Sequence, residues 1–478
     1  MTTAEARKRE GVALLRDGRY PDAVRILKQA AAAAPRDVMV LAALGQAQHR
    51  AGDSDAAVRS LRKAVRLAPD RADLYADLGV VLTDMRTLEP AVAAFRQAAE
   101  RAPQDAEILA DLARTLSETE ALDEALAVAR QACAIASDNV EALNSLGVVL
   151  YRKGEIEAAH DAFVRAVEAG PDNVHARKNL GMVELLCGDF EAGWRDYAAR
   201  HRADGTRRVP GIPEWRGEGL YGRRLVVTAE QGLGDTIQFV RFLPRLTAMG
   251  ASVVFVAPPS LADLVKAMPG AGTVVAAGGR LPAGDLQVAL MDIPGLLKIR
   301  PKTIPAGPAY LDAPAAMELP KRRDGAFTVG LVWRGNPQHR GDRHRSIAPD
   351  LLFALGAVDG VQLYSLQVGE PMPAQARRPV PVDLSRRLKS FADTAAAVQA
   401  LDMVVSVDTA VAHLAGAMGR PVCLLLPAGP DWRWLRDRAD CPWYPTMRLF
   451  RQPAAGDWQT PLNALTAHLG DCIAQQAA

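Results

Sequence analysis

Tryptophan is absent before Trp194, although the chain has seven. Proline is nearly as lopsided, with six of its 32 residues ahead of position 200. Cysteine is scarce: Cys133, Cys187, Cys423, Cys441 and Cys472 are odd in number and show no C-x-x-C spacing. Neither a disulfide framework nor a zinc site is implied, and they read as reduced thiols of a cytoplasmic protein. No apolar run approaches the ~20 residues that span a bilayer, and the opening "MTTAEARKRE" lacks the apolar core of a secretory signal. Lysine and arginine total 57 against 55 acids, a net charge of +2 that gives no field for nucleic acid. The D-x-D pair is missing from the second half; Asp53-Ser54-Asp55 falls in a turn, where it caps. No metal is expected.

What is present begins with spacing. Pro35, Pro69, Pro103 and Pro171 fall on a ruler of 34 residues, with Ser137 in the empty slot. A second ruler runs through Gly11, Gly45, Gly79, Gly147 and Gly181 with Ala113 in its gap. A third runs Ala23, Ala57, Ala91, Ala125, Ala159 and Gly193. This pattern resembles the tetratricopeptide repeat, whose period is 34. It covers roughly residues 5–200 as five full units and a sixth that ends early. Each unit reads as a helical hairpin: small residues allow close approach, Gly18, Gly52, Gly154 and Gly188 make the turn, and the prolines end the unit. Stacked hairpins form a superhelix with a concave face. Ala43, Asp77, Asp111, Ser145 and Asn179, two before each ruler glycine, are placed there. They suit either a bound polypeptide or a solvated helix face.

The second half changes character. The runs "RLVVTAE", "SVVFVAPP", "DLQVAL", "FTVGLVW", "VQLYSLQ", "MVVSVD" and "PVCLLLP" alternate with helical segments, which argues for parallel, doubly wound sheets. "YLDAPAAMELPKRRDGAF" interrupts them. The expected division is a repeat superhelix over 1–200, a linker over 201–222, one α/β half over 223–312, a linker over 313–325 and a second half over 326–478. Ligands of such sheets bind at the carboxyl ends of the strands.

Three stretches at such ends carry chemistry. "EQGLGD" follows the first strand: Gly232 and Gly234 permit close approach, and Asp235 is either an N-cap or a general base. G-x-G-D lacks the third glycine of the dinucleotide fingerprint. "LVWRGNPQHRGDRHRS" holds Arg334, Asn336, His339, Arg340, Arg343, His344 and Arg345, a basic loop suited to a diphosphate or merely to water. "SVDTAVAHLAGAMGRPV" is a strand, an acid–hydroxyl turn at Asp408 and Thr409 that can cap a helix, and His413 one turn on.

Together with "YSLQVG", "PDWRWLRDRADCPWYP", "RLFRQP" and "DFEAGWRDYAARH", these stretches resemble the bacterial tetratricopeptide glycosyltransferases. The transferase half is similar to the heptosyltransferases and, more remotely, to the O-GlcNAc transferases. The resemblance implies a GT-B fold of two Rossmann-like domains. It matches Asp235 to the catalytic base, and Asp408, Thr409 and His413 to the turn that lines the donor nucleotide. Gly232, Gly234 and Gln367 join the donor side, with the phosphates on Arg334, Asn336 or Arg345; heptosyltransferases usually have a lysine in that region. The implied reaction moves a sugar from a nucleotide-sugar to Ser/Thr hydroxyls of a polypeptide held by Asp77, Asp111, Ser145 and Asn179. Flagellin is the expected acceptor, and a nonulosonic acid such as pseudaminic acid one donor sugar. Transfer to a lipid-linked saccharide, and a scaffold without catalysis, are the alternatives. No cofactor beyond the nucleotide-sugar is implied.

Overall fold

A computed structural model describes residues 3–205, 208–305, 307, 309–313, 315–339, 341–373 and 379–477. By its contacts the chain divides into two compact units, Met1–Asn173 and Val174–Ala478.

The first unit is a row of helical hairpins: Thr3–Arg16 with Tyr20–Ala33, Val38–Arg50 with Ser54–Leu67, Ala72–Asp84 with Leu88–Arg101, Ala106–Glu118 with Leu122–Ile135, and Val140–Lys153 with Ile156–Ala169. Short polar side chains start several of these helices. Asp37, Asp53, Asp105 and Asn139 each accept from first-turn amides that have no partner within the helix. The glycine ruler marks the tightest contact within a hairpin. A Cβ on Gly79 would lie 2.8 Å from the Phe95 ring, and one on Gly147 2.6 Å from Phe163. The alanines of the third ruler are fully buried. Bonds from one hairpin's first helix to the next line up on one wall: Gln46 Nε2 donates to Asp77 at 2.8 Å, His49 Nε2 meets Asp84 at 3.0 Å and Arg152 Nη1 donates to Ser117 at 3.0 Å.

The second unit opens with a sixth hairpin, Val174–Leu186 and Phe190–Tyr197. The unit boundary therefore falls between Asn173 and Val174, ahead of the sequence-based division at 200. Aromatic packing is the reason. The Trp194 ring lies 5.1 Å from Trp432, Phe190 6.4 Å from Trp443 and Tyr197 6.2 Å from Trp432.

Two wholly parallel sheets follow. The first has β1 (Arg224–Thr228), β2 (Ser252–Ala257), β3 (Thr273–Ala276) and β4 (Leu286–Ala289) in the order β3-β2-β1-β4. The second has β5 (Phe327–Val332), β6 (Val361–Ser365), β7 (Val382–Asp383), β8 (Met403–Val407), β9 (Val422–Leu426) and β10 (Met447–Arg451) in the order β10-β9-β8-β5-β6-β7. That is the doubly wound order, which reverses direction between β5 and β8. Strands β5, β6, β8 and β9 are buried along their whole length, as parallel strands covered on both faces must be.

Candidate functional site

Strand β1 ends in a strained turn. Gln231 takes a left-handed φ of 58°, and Gly232 then opens the helix Leu233–Phe239. Asp235 sits in the first turn, where its Oδ2 accepts from the Gly232 amide at 2.7 Å. Its other oxygen pairs with Arg433, whose side chain is only 5% exposed. Arg433 also reaches Asp431 at 2.7 Å and lies 4.4 Å from the Trp432 ring. Burial works to strip its charge, but Asp235 and Asp431 outweigh that and hold the guanidinium ionised. Asp235 is thus not the N-cap; Gly232 is. Its carboxylate combines a first-turn bond with an ion pair that joins the ends of the two sheets.

Gly234 explains how that end is assembled. A Cβ there would stand 2.8 Å from His413 Cδ2, so only glycine lets the helix after β1 lie against Ala410–Ala417, the helix after β8. His413 is buried between Trp434, 5.1 Å away and tilted by 31°, and Tyr444, whose hydroxyl is 2.9 Å from Nδ1. Its Nε2 faces Asp408 at 3.7 Å. Burial tends to raise the Asp408 carboxyl, yet its bond with His413 and the charges of Arg345 and His413 hold it well below the usual range. Thr409 caps the helix, accepting from the Ala412 amide, and its hydroxyl lies 3.0 Å from Ser406 Oγ. Asp408 does not share the cap, because it turns to His413.

The basic loop after β5 is more internally satisfied than its sequence implies. Arg334 spans Asp342 and Glu370, each at 3.3 Å, and Arg345 reaches Asp342 at 3.3 Å. Asn336 accepts from the Gln338 amide within its own turn. Gln367 is buried, accepts from the Trp333 and Arg334 amides and donates to the Arg334 carbonyl, so it shapes the loop from behind. His339 is pushed down by burial and by Arg345, against Asp408 and Asp431. Arg340 lies outside the described residues.

Sequence reasoning passed over several residues that build this end. Arg433 and Asp431 sit in "PDWRWLRD", where no role follows from spacing. Arg241 is another: its guanidinium donates to the Trp443 carbonyl at 2.6 Å and the Tyr310 hydroxyl at 2.9 Å, pinning the two sheets through the linker. A third is Arg200, 1% exposed, which binds Glu230 and Asp292 beyond the ends of β1 and β4. Only Arg433 carried a signal, a cation set between Trp432 and Trp434.

In the first unit, Asp77 is partly buried and pushed up to about 6, chiefly by desolvation. Asp111 pairs with Arg114 at 2.7 Å. Ser145 is 2% exposed and Ala43 8%, so neighbouring helices cover both and they do not line an open face. Asn179 falls in the second unit and is itself partnered.

Three stretches, 8–72, 76–140 and 144–206, match the tetratricopeptide-repeat family model, so the chain carries such repeats. Among curated proteins it is similar to Protein FlbA of Caulobacter vibrioides, 28% identical over 322 residues that make up 59% of this chain and 52% of that protein. The chain thus spans about half the length of that relative. Among solved structures it is similar to MamA (24% identity, TM-score 0.32, covering 35% of this chain and 92% of that one). YrrB, described as a TPR protein with an unusual peptide-binding site, is 21% identical with a TM-score of 0.30 over 35% of this chain and 86% of its own. PilF of Pseudomonas aeruginosa is 16% identical, with a TM-score of 0.36 over 43% of this chain and 93% of its own. No helix among the described residues is long and apolar enough to cross a membrane.

Proposed function

We propose that the chain is a cytoplasmic protein O-glycosyltransferase of GT-B fold, moving a sugar from a nucleotide-sugar to Ser/Thr hydroxyls of a polypeptide, with flagellin as the acceptor of choice. The observation that carries the reading is the meeting of Asp235 with Arg433 at the carboxyl ends of two parallel sheets, where the helix start of Asp408, Thr409 and His413 packs against Gly234. Asp235 takes the acceptor proton as its oxygen attacks the anomeric carbon. The bond from that carbon to the diphosphate breaks, and its electron pair leaves with the diphosphate. The amides of the helix start at Thr409, with Arg345 and Arg433, offset the charge gathering there. Arg433 also sets an order of events. While it holds Asp235 the carboxylate oxygen is occupied; a bound diphosphate competes for its N–H donors and frees the carboxylate. The second half carries no D-x-D, and the reading puts guanidinium groups and helix amides in the place of a metal ion.

Asp235→Asn tests the assignment. Turnover of the donor falls by ~10²–10⁴, the usual worth of a general base, while donor affinity does not fall, since Arg433 is released to the diphosphate. Unchanged turnover, measured in excess EDTA as for the wild type, removes Asp235 from the chemistry.

A further inference from the structure

Two peculiarities of the first unit meet at one place. Three of its hairpin turns put glycine in the left-handed position, at Gly18, Gly52 and Gly154, but the third and fourth turns put Arg86 (φ 62°) and Glu120 (φ 69°) there. A side chain costs conformational energy at such a φ that glycine avoids, and such cost gathers where a side chain is wanted. Arg86 spends it to reach Glu118, which is only 4% exposed.

The second peculiarity is Arg152, near the end of Val140–Lys153. Its Nη1 donates to Ser117 Oγ at 3.0 Å, and among the described residues its guanidinium makes no other bond. Burial pushes Arg152 down to about 10; Glu118 and Tyr151 oppose this, and Arg86 and Arg114 add to it. Glu118 is also a charge felt by Arg114, which itself pairs with Asp111. The buried Glu118 is thus paired with Arg86 while its charge is felt by Arg114 and Arg152, and among the described residues only Ser117 takes a donor of Arg152.

We propose that this corner of the repeat unit, formed by Arg152 with Arg86, Arg114 and Ser117, binds the carboxylate of a single Asp or Glu in an extended polypeptide partner. The inference rests on the reading of the repeats as a polypeptide site and names what that site selects. A planar carboxylate with two oxygens matches the guanidinium fork of Arg152. Asp84 and Asp111 already set negative charge beside Arg114, and Asp77 stands one repeat earlier at the position of Asp111. They disfavour a dianionic phosphate or an acidic run, and favour an isolated acid flanked by neutral or basic residues.

The test uses the full chain with ¹⁵N-labelled arginine side chains and a blocked heptapeptide, Ser-Thr-Lys-Glu-Lys-Thr-Ser. The Arg152 Nε–H signal is identified by its loss in Arg152→Lys. It should shift saturably with this peptide, at least about ten-fold more tightly than with the peptide carrying Gln in place of Glu. Arg152→Gln should abolish the difference between the two peptides. Where that variant fails to fold, Arg152→Lys serves, with a loss of about ten-fold because the fork is gone while the charge remains. Equal binding of the two peptides, or no shift up to about 5 mM, overturns the proposal, as does tighter binding of a phosphoserine peptide. Since the readout needs no sugar transfer, a null result beside intact donor turnover removes this site alone.

Discussion

The two units differ in how far apart along the chain their working partners lie. In the repeat unit a side chain usually finds its partner one repeat on: Gln46 meets Asp77 after 31 residues, Arg86 meets Glu118 after 32 and Arg152 meets Ser117 after 35. In the sheet unit Asp235 meets Arg433 after 198 residues and Arg241 meets Trp443 after 202. Periodic neighbours reveal themselves by repetition, because every unit must solve the same packing problem. A cleft at the ends of two sheets has no such redundancy, since each of its contacts occurs once.

That contrast can be broken most sharply by removing the first unit. A chain starting at Val174 should retain nucleotide-sugar hydrolysis but lose at least ~10²-fold in transfer to a polypeptide, because the acceptor is no longer held near Asp235. Equal transfer rates would make the repeats a module for localisation or assembly. A core change inside the repeats should act on stability alone. Phe95→Ala empties the space beside Gly79 and should cost about 3–5 kcal/mol of unfolding free energy in denaturant melts, with donor hydrolysis unaffected. If hydrolysis falls as well, the two units do not act separately. Gly234→Ala is the converse. Its methyl meets His413 and should cost about 1–3 kcal/mol while lowering turnover, because the helix after β1 must back away.

The smallest effect concerns pH. Asp77 is raised to about 6 in the folded chain from an ordinary 3.8, so folding favours its protonated form. The stability tied to it is full below about pH 4 and is lost as pH climbs toward 6. Thermal melts of Asp77→Asn should lack that decline, and a wild-type curve flat between pH 4 and 6 would contradict the assignment.

Much of the first unit was legible because glycine and alanine at fixed intervals can do little except admit a neighbouring helix. The seven strands read from the β-branched runs correspond to β1, β2, β4, β5, β6, β8 and β9. The rest were short or amphipathic: β7 spans two residues, and β10 alternates with exposed Arg448. The sixth hairpin obeys the repeat rulers yet belongs by contact to the second unit, because Phe190, Trp194 and Tyr197 carry aromatic surface that the sheet region covers. At the site, the glycines and acids of the turns were recognisable, since local backbone geometry demands those residue types. Whether Arg334 was free or tied, and that Gln367 holds a loop, depended on Asp342, Glu370 and the backbone opposite.

The most direct measurement is the intact mass of purified flagellin after incubation with the chain, a panel of nucleotide-sugars and EDTA. The account predicts discrete mass increments equal to one transferred sugar residue each with the wild-type chain, and none over the same period with Asp235→Asn although that variant binds the donor. Unmodified flagellin together with no hydrolysis of any nucleotide-sugar in the panel, or equal modification by both chains, would contradict it.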